Sequence, residues 1–284
     1  MRILLTGANG QVGWEIAQRT TKHDIIALDR AALDITQPVA VQQTLADSAA
    51  DLVINAAAYT GVDRAEQEPD LAFAANRDGP AHLAAACARF GIPLFHISTD
   101  YVFDGNQSTP YREDDPVAPL GVYGRSKWEG EEAVRRVLPA HLILRVSWVF
   151  GRHGHNFVKT MLRLAREREQ LRVVADQHGC PTYAGSIADV FLMLADRLDT
   201  DRSLRWGTYH YCNTPATTWH GFTEAIVALA RDREPLCVRE VVPITTSEYP
   251  TPAARPANSV LDCSRLREYI AIAPGLWQAG LRAM

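Results

Sequence analysis

The sequence contains no CxxC pair, and its five cysteines (Cys87, Cys180, Cys212, Cys237 and Cys263) are odd in number and scattered. That pattern argues against a disulfide framework and fits reduced thiols in a cytoplasmic protein. No apolar run approaches the length of a membrane span. The start, MRILLTGANG, reaches Gly7 before the apolar region of a signal peptide could form. Long basic runs are missing too. Lys plus Arg number 29 against 33 Asp plus Glu, a formal net charge of −4, which leaves a nucleic-acid or anionic-membrane partner without electrostatic support. The close histidine pair, His153 and His155, lies in the loop-like stretch RHGHN. No metal is expected, and no repeat or low-complexity tract is present.

What the chain does have is an ordinary globular composition, 47% hydrophobic and 22% charged over 284 residues, enough for one large α/β domain or two lobes. Short apolar runs alternate with amphipathic ones. Strands are predicted at 2–6, 24–29, 51–58, 93–99 and 141–151, and helices at 11–22, 39–50 and 68–91, with another beginning close to Tyr123. The strands are apolar throughout rather than alternating, which indicates a parallel sheet covered on both faces and hence a doubly wound α/β fold. Beyond residue 150 the pattern loosens. Helices near 156–169, 186–198 and 218–232, strands near 171–176 and 208–213, and prolines at 243, 250, 252 and 256 suggest sheet completion plus a smaller lobe. The expected division is 1–147 plus about 183–240 for a dinucleotide-binding domain, and about 148–182 plus 241–284 for a substrate lobe.

Gly7-Ala8-Asn9-Gly10-Gln11-Val12-Gly13 joins the first strand to the first helix. In that context the first glycine permits a sharp turn, the second lets a pyrophosphate approach the backbone, and the third lets the helix pack on the sheet. The helix N-terminus then faces the diphosphate. The spacing is GxxGxxG rather than GxGxxG. Asp29 ends the second strand, where an acid can hold a ribose 2′-hydroxyl, while Arg30 next to it suits a 2′-phosphate. NADH and NADPH both stay open, and either side chain is also compatible with plain surface charge.

YGRSK (123–127) puts Tyr123 and Lys127 on one helix face. The strand before it ends in Ser98-Thr99-Asp100, at the sheet edge where ligands bind in open α/β folds. Thr99, Tyr123 and Lys127 can therefore converge at the nicotinamide end of a dinucleotide. An ammonium ~4 Å from a phenol at an effective dielectric of 20 stabilises the phenolate by ~4 kcal/mol. That is up to roughly three pKa units before desolvation is subtracted, the right direction for acid–base work near neutrality.

GANGQVG, NAAAYTGVDRAE (55–66), STDYVFDG (98–105), PLGVYGRSKWEGE (119–131), RVSWVFG (145–151), NFVKTMLRLA (156–165), DQHGCPT (176–182) and YPTPAARPANS (249–259) together resemble the extended short-chain dehydrogenase/reductase family. Within it, they resemble the branch that reduces a 4-keto sugar nucleotide. The likeness is collinear over nearly the whole chain. It implies hydride transfer from NADPH or NADH to C4 of dTDP-6-deoxy-L-lyxo-4-hexulose, giving dTDP-L-rhamnose. Tyr123 would be the acid, Lys127 its partner and a ribose ligand, and Thr99 the third member, with Asp100 either orienting the site or capping a turn. Gly7, Asn9, Gly10, Gln11, Val12, Gly13, Asp29, Arg30, Ala56, Ala57 and Ala58 would line the dinucleotide. Thr60, Val62, Asp63, Trp148, Asn156, Phe157, Arg255 and Asn258 would face the sugar nucleotide, with Ser259 near them. Trp148 also reads as a core residue and Phe157 as a helix staple. Some members hold magnesium at a dimer contact; Glu15 is present here, but CPTYAGS (180–186) supplies no second acid. A homodimer is compatible with the sequence. The rivals are a related epimerase or dehydratase, against which Asp100-Tyr101 stands where a dehydratase has Asp-Glu, and a non-catalytic regulatory subunit.

Overall fold

Five apolar segments of the first half become strands of one sheet: β1 (Arg2–Thr6), β2 (Asp24–Leu28), β3 (Leu52–Asn55), β4 (Leu94–Thr99) and β5 (His141–Val146). The structure is a computed structural model and describes residues 1–19, 21–201 and 204–284. Later strands are β6 (Val149–Phe150), β7 (Gln170–Val174), β8 (His178–Gly179), β9 (Thr182–Tyr183), β10 (Gly207–Tyr211), β11 (Thr217–Thr218) and β12 (Glu240–Ile244). The main sheet runs β10-β5-β4-β3-β1-β2 and every pairing in it is parallel. The strand order reverses between β1 and β3, which opens a crevice at their C-terminal ends.

The helices are α1 (Gln11–Gln18), α2 (Pro38–Ser48), α3 (Val62–Ala65), α4 (Pro69–Phe73), α5 (Gly79–Phe90), α6 (Val122–Val137), α7 (Phe157–Glu167), α8 (Ala184–Asp201), α9 (Trp219–Arg231), α10 (Ser264–Ile270) and α11 (Trp277–Arg282). Strand alternation divides the core in two. Ile3, Leu5, Leu52, Ile54, Phe95 and Leu144 pack with α1 and α8, while Leu4, Val53, Leu94 and Ile143 pack with α2, α5 and α6. Each such side chain, fully buried, contributes about 1.5–3 kcal/mol, so both faces hold the sheet rigid beneath the crevice.

Two elements depart from the sequence reading. The single helix expected over 68–91 is α4, a π turn at Ala74–Asp78, and α5. The wide turn brings the Asn76 side chain inward, where it is fully buried. Secondly, residues 183–240 do not all join the sheet. α8 and β10 do, but α9 packs with α7 against β7 and β12, sharing a core of Phe150, Val158, Phe222, Ile226 and Trp277. β12 contains Pro243. It pairs with β7 alone, and an edge strand tolerates proline.

Candidate active site

The glycine turn forms for steric reasons. Gly7 has φ +73°, and a Cβ there would lie 2.5 Å from the Ala57 nitrogen and 2.6 Å from the Ala56 carbonyl carbon. A Cβ on Gly13 would overlap the Gly7 carbonyl oxygen. The turn and the end of β3 are thus in backbone contact, with Gly10 and Gln11 opening α1 above them. Val12 is in the core, so only its backbone can face a ligand. Asn9 donates to the Asp29 carboxylate at 2.8 Å, and Asp29 also accepts from the Ala32 N–H at 2.9 Å. Arg30 has an 83% exposed side chain, touching only Asp34 at 3.4 Å among the described residues. Ala56 and Ala57 are half-buried and Ala58 exposed along the crevice.

Helix α6 starts without a cap of its own; the Glu66 carboxylate from the α3 end accepts the Val122 N–H at 2.8 Å, supplying negative charge where the helix dipole wants it. Asn76 holds the next turn. It accepts from the Tyr59 N–H, donates to the Tyr59 carbonyl and donates to the Ser126 hydroxyl, at 2.8, 3.0 and 3.0 Å, and Ser126 donates to the Tyr123 carbonyl at 2.8 Å. Gly124 lets the helix lie on the turn that follows β4, because a Cβ there would overlap the Tyr101 carbonyl oxygen. Neither Glu66 nor Asn76 was found from sequence; their partners lie 56 and 50 residues away.

These contacts bring Tyr123 to Thr99. The Thr99 hydroxyl donates to Asp100 at 3.0 Å and accepts from the Tyr101 N–H at 3.2 Å. Tyr101 meets the Tyr123 ring edge-on, centroids 5.5 Å apart. Burial pushes the Tyr123 phenol up to about 12; the Thr99 hydroxyl lowers it and Asp100 raises it further. The ammonium-lowered phenol expected from the spacing is therefore absent from this arrangement. Lys127 is 2% exposed and its Nζ donates to the Ile97 carbonyl at 2.7 Å. Burial lowers its own pKa to about 8, with Glu131 opposing. Asp100 is buried, and its carboxyl rises to about 7 against the pull of the Ser259 and Thr99 hydroxyls. One of its oxygens has no hydrogen-bond partner among the described residues, which a plain turn cap would not require.

A row of polar side chains crosses the sheet under α6. Strand register aligns Thr6 with Asn55, Asn55 with His96, Ser98 with Arg145, and Arg145 with His210, all on the face of Leu4, Val53 and Ile143. Thr6 donates to Asn55 at 2.7 Å, and Asn55 meets His96 Nδ1 at 3.0 Å. Arg145 forks onto Glu131 of α6, at 2.9 and 2.7 Å from its two oxygens.

The remaining positions divide. Arg255 and Asp63 face each other across the crevice, bonded at 3.0 and 2.8 Å, and that pairing with Arg255 holds the Asp63 carboxyl below its usual range. Thr60 is exposed and Val62 half-buried beside them. Trp148 is not a plain core residue. It has φ +46°, stacks on Trp219 at 3.5 Å and donates to the Ser259 hydroxyl at 3.1 Å. A left-handed tryptophan is strained, a condition that clusters at functional sites. Three positions expected to face the sugar nucleotide have partners within the protein. Asn156 caps α7 through Lys159 N–H at 3.1 Å and donates to Gln11 and Gly151 at 3.0 and 2.8 Å, so its amide is fully engaged. Phe157 packs on Trp219 and Phe222. Asn258 donates to the Gln107 and Thr109 carbonyls at 2.8 and 3.1 Å and accepts from Val260 N–H, tying down the loop after β4. Glu15 accepts from Arg19 at 2.8 Å and Tyr183 at 3.2 Å.

A parallel sheet with a glycine cradle at its switch point and a Thr-Tyr-Lys set at its C-terminal edge defines a short-chain dehydrogenase/reductase fold. The family model described as RmlD substrate binding domain matches residues 1–284, and the chain belongs to that family. It is 46% identical to a dTDP-4-dehydrorhamnose reductase of Burkholderia thailandensis, over 98% of this chain and 96% of that one. It is 44% identical to the enzyme of that name from Aggregatibacter actinomycetemcomitans, over 99% and 97%. The crystal structure of dTDP-4-dehydrorhamnose reductase from Bacillus anthracis in complex with NADP shares 38% identity and a TM-score of 0.91, covering 99% of this chain and 97% of that one.

Proposed function

We propose that the chain reduces the C4 ketone of dTDP-6-deoxy-L-lyxo-4-hexulose to dTDP-L-rhamnose with NADPH or NADH. The observation that carries this reading is that Tyr123, at the start of α6, lies against Thr99 at the end of β4, with Lys127 buried one helical turn further on. Gly7 and Gly13, where a Cβ would strike the backbone of the β3 end and of the turn itself, keep the turn tight, which suits a diphosphate held on backbone N–H groups at the start of α1. Asp29 is pinned by Asn9 for a ribose hydroxyl, and the exposed Arg30 is placed for a 2′-phosphate. When bound, the nicotinamide supplies the hydride.

The chain's own residues handle position and proton. Tyr123, with its pKa raised to about 12, keeps its proton at neutral pH and gives it up only as negative charge develops on the C4 oxygen. Thr99 is turned by Asp100 and Tyr101 so that its oxygen faces the phenol. Lys127 uses one of its donors on Ile97, which leaves others for the nicotinamide ribose. Arg255 suits the substrate diphosphate, since a guanidinium binds phosphate in forked fashion, and Asp63 keeps its plane fixed until then. On this reading the dinucleotide domain is 1–147 with α8 and β10, and the substrate lobe takes α7, α9, β7, β12 and the C-terminal segment. A cytoplasmic enzyme, with a homodimer as its assembly, belongs to the same reading.

The test is NADPH oxidation in the presence of the 4-keto sugar nucleotide. Tyr123→Phe is expected to lose about 10²–10⁴-fold in turnover with NADPH affinity little changed. Normal turnover by this variant removes the proton donor from the scheme. NADPH binding without turnover by the unaltered protein favours a regulatory subunit instead.

A further inference from the structure

We propose that Glu131 is a positioning residue for this reaction: one helical turn beyond Lys127, it is the buried counter-charge that holds Lys127 as an ammonium ion in its working place. The inference rests on the Tyr123–Lys127 reading above and adds a third position, i+8, to that helix face.

Glu131 is fully buried and Lys127 is 2% exposed. A buried ammonium bonded to a neutral carbonyl tends to lose its proton. Lys127's protein partner among the described residues is the Ile97 carbonyl, so its charge needs a nearby anion. Glu131 is four residues along the same face. It is held as an anion from the far side. Arg145, 1% exposed, grips both oxygens, and Arg135 adds a bond at 2.7 Å. Arg145 in turn lies between the faces of Phe103 and Trp128, at 5.2 and 5.7 Å, and Arg135 covers Trp128 at 4.9 Å. Burial works against the Glu131 carboxylate, yet the two arginines bring it down to about 2.

The other ionisable groups around Lys127 do not do this work. His96 on β4 is held neutral by burial and by Lys127 itself. His210 on β10 is lowered to about 3 by burial and Arg145, and burial also lowers His141 at the start of β5. Tyr123 stays a phenol. Asp100, its carboxyl pushed up to about 7 by burial, lies at the crevice end of the site and is not among the charges that act on Lys127.

The experiment compares wild type, Glu131→Gln, Glu131→Asp and the double variant Glu131→Gln/Arg145→Met. NADPH affinity, without sugar, and steady-state turnover are both measured from pH 6 to 9. The double variant removes the buried guanidinium that Glu131→Gln would leave without its carboxylate, and so is expected to fold where Glu131→Gln does not. In wild type, affinity and turnover are expected to fall through a step near pH 8, where burial places the loss of the Lys127 proton. Glu131→Gln is expected to move that step down by about one unit or more, so that at pH 9 affinity drops about tenfold while at pH 6 it stays near wild type. Glu131→Asp, which keeps the charge, is expected to restore the step. A step that stays put in both neutralised variants, or a loss of equal size at every pH, overturns the proposal. Because NADPH binding needs no ketone, a failure to turn over the 4-keto sugar would count against the assigned reaction and leave this result standing.

Discussion

Gly124 offers a test in which two well-known effects have opposite signs. It lies inside α6, and replacing an interior helical glycine by alanine ordinarily stabilises by about 1 kcal/mol. Here the new methyl would overlap the Tyr101 carbonyl oxygen and stand 3.0 Å from both the Tyr101 carbonyl carbon and the Pro119 Cβ. Carbon atoms pack at ~3.5–4.0 Å, so the helix must back away by about 1 Å. Tyr101 presents backbone there and cannot swing aside. Overpacking of this kind costs about 1–3 kcal/mol, which outweighs the propensity gain. If α6 slides instead, Tyr123 and Lys127 move with it relative to Thr99, and a displacement of about 1 Å in a reacting group can lose about 10²-fold in rate. Gly124→Ala is therefore expected to lower turnover about 10²-fold, with a melting temperature equal to wild type or lower. Steady-state NADPH oxidation and a thermal melt on the same preparation decide it. A variant that melts higher and turns over at the wild-type rate would show that the close approach to Tyr101 does not position the acid.

Asp100 titrates near 7 in the fold against 3.8 for the free group. Between those values the native state binds the extra proton, so this residue's contribution to stability is complete below about pH 4 and is lost as pH rises through 7. Asp100→Asn should be flatter than wild type across that window in urea midpoints, and identical slopes would show that the carboxyl is already solvated. Arg255→Lys removes the fork that holds Asp63 and, in the proposed reaction, a phosphate. It is expected to raise KM for the sugar nucleotide about tenfold or more, in line with ~1.5–3 kcal/mol for a charged hydrogen bond, with KM for NADPH unchanged. The reverse pattern of KM changes would move Arg255 to the dinucleotide.

What could be read from sequence was what local chemistry determines. Gly7 and Gly13 are legible because strand, turn and helix follow one another within thirteen residues, and Tyr123 with Lys127 because a helix fixes their spacing. Glu66, Asn76 and Arg145 are not legible in the same way, since each acts on α6 from another element. Asn76 also depends on a π turn that no periodicity announces. Asn156 and Asn258 show the converse. An asparagine in a loop suits a ligand as well as a cap, and only the hydrogen-bond partners show that both amides are already occupied. The phenol–ammonium argument placed both side chains on one helix, where they are, but let attraction outweigh burial; with Lys127 turned to Ile97, burial dominates both pKa values.

The last strand of the main sheet arrives late. In sequence, 65 residues separate Arg145 from His210, yet β10 pairs with β5 along its whole length. A ribosome that has released the first 150 residues has made the glycine cradle and the acid-bearing helix, while β5 still has an open edge and Arg145 lacks one of its walls. The nascent half-sheet is thus exposed to wrong pairing until the inserted lobe and α8 have followed it out. Competence to bind a dinucleotide firmly should come only with the arrival of residue 211, so that trimming from the C-terminal side reopens the sheet once it reaches β10.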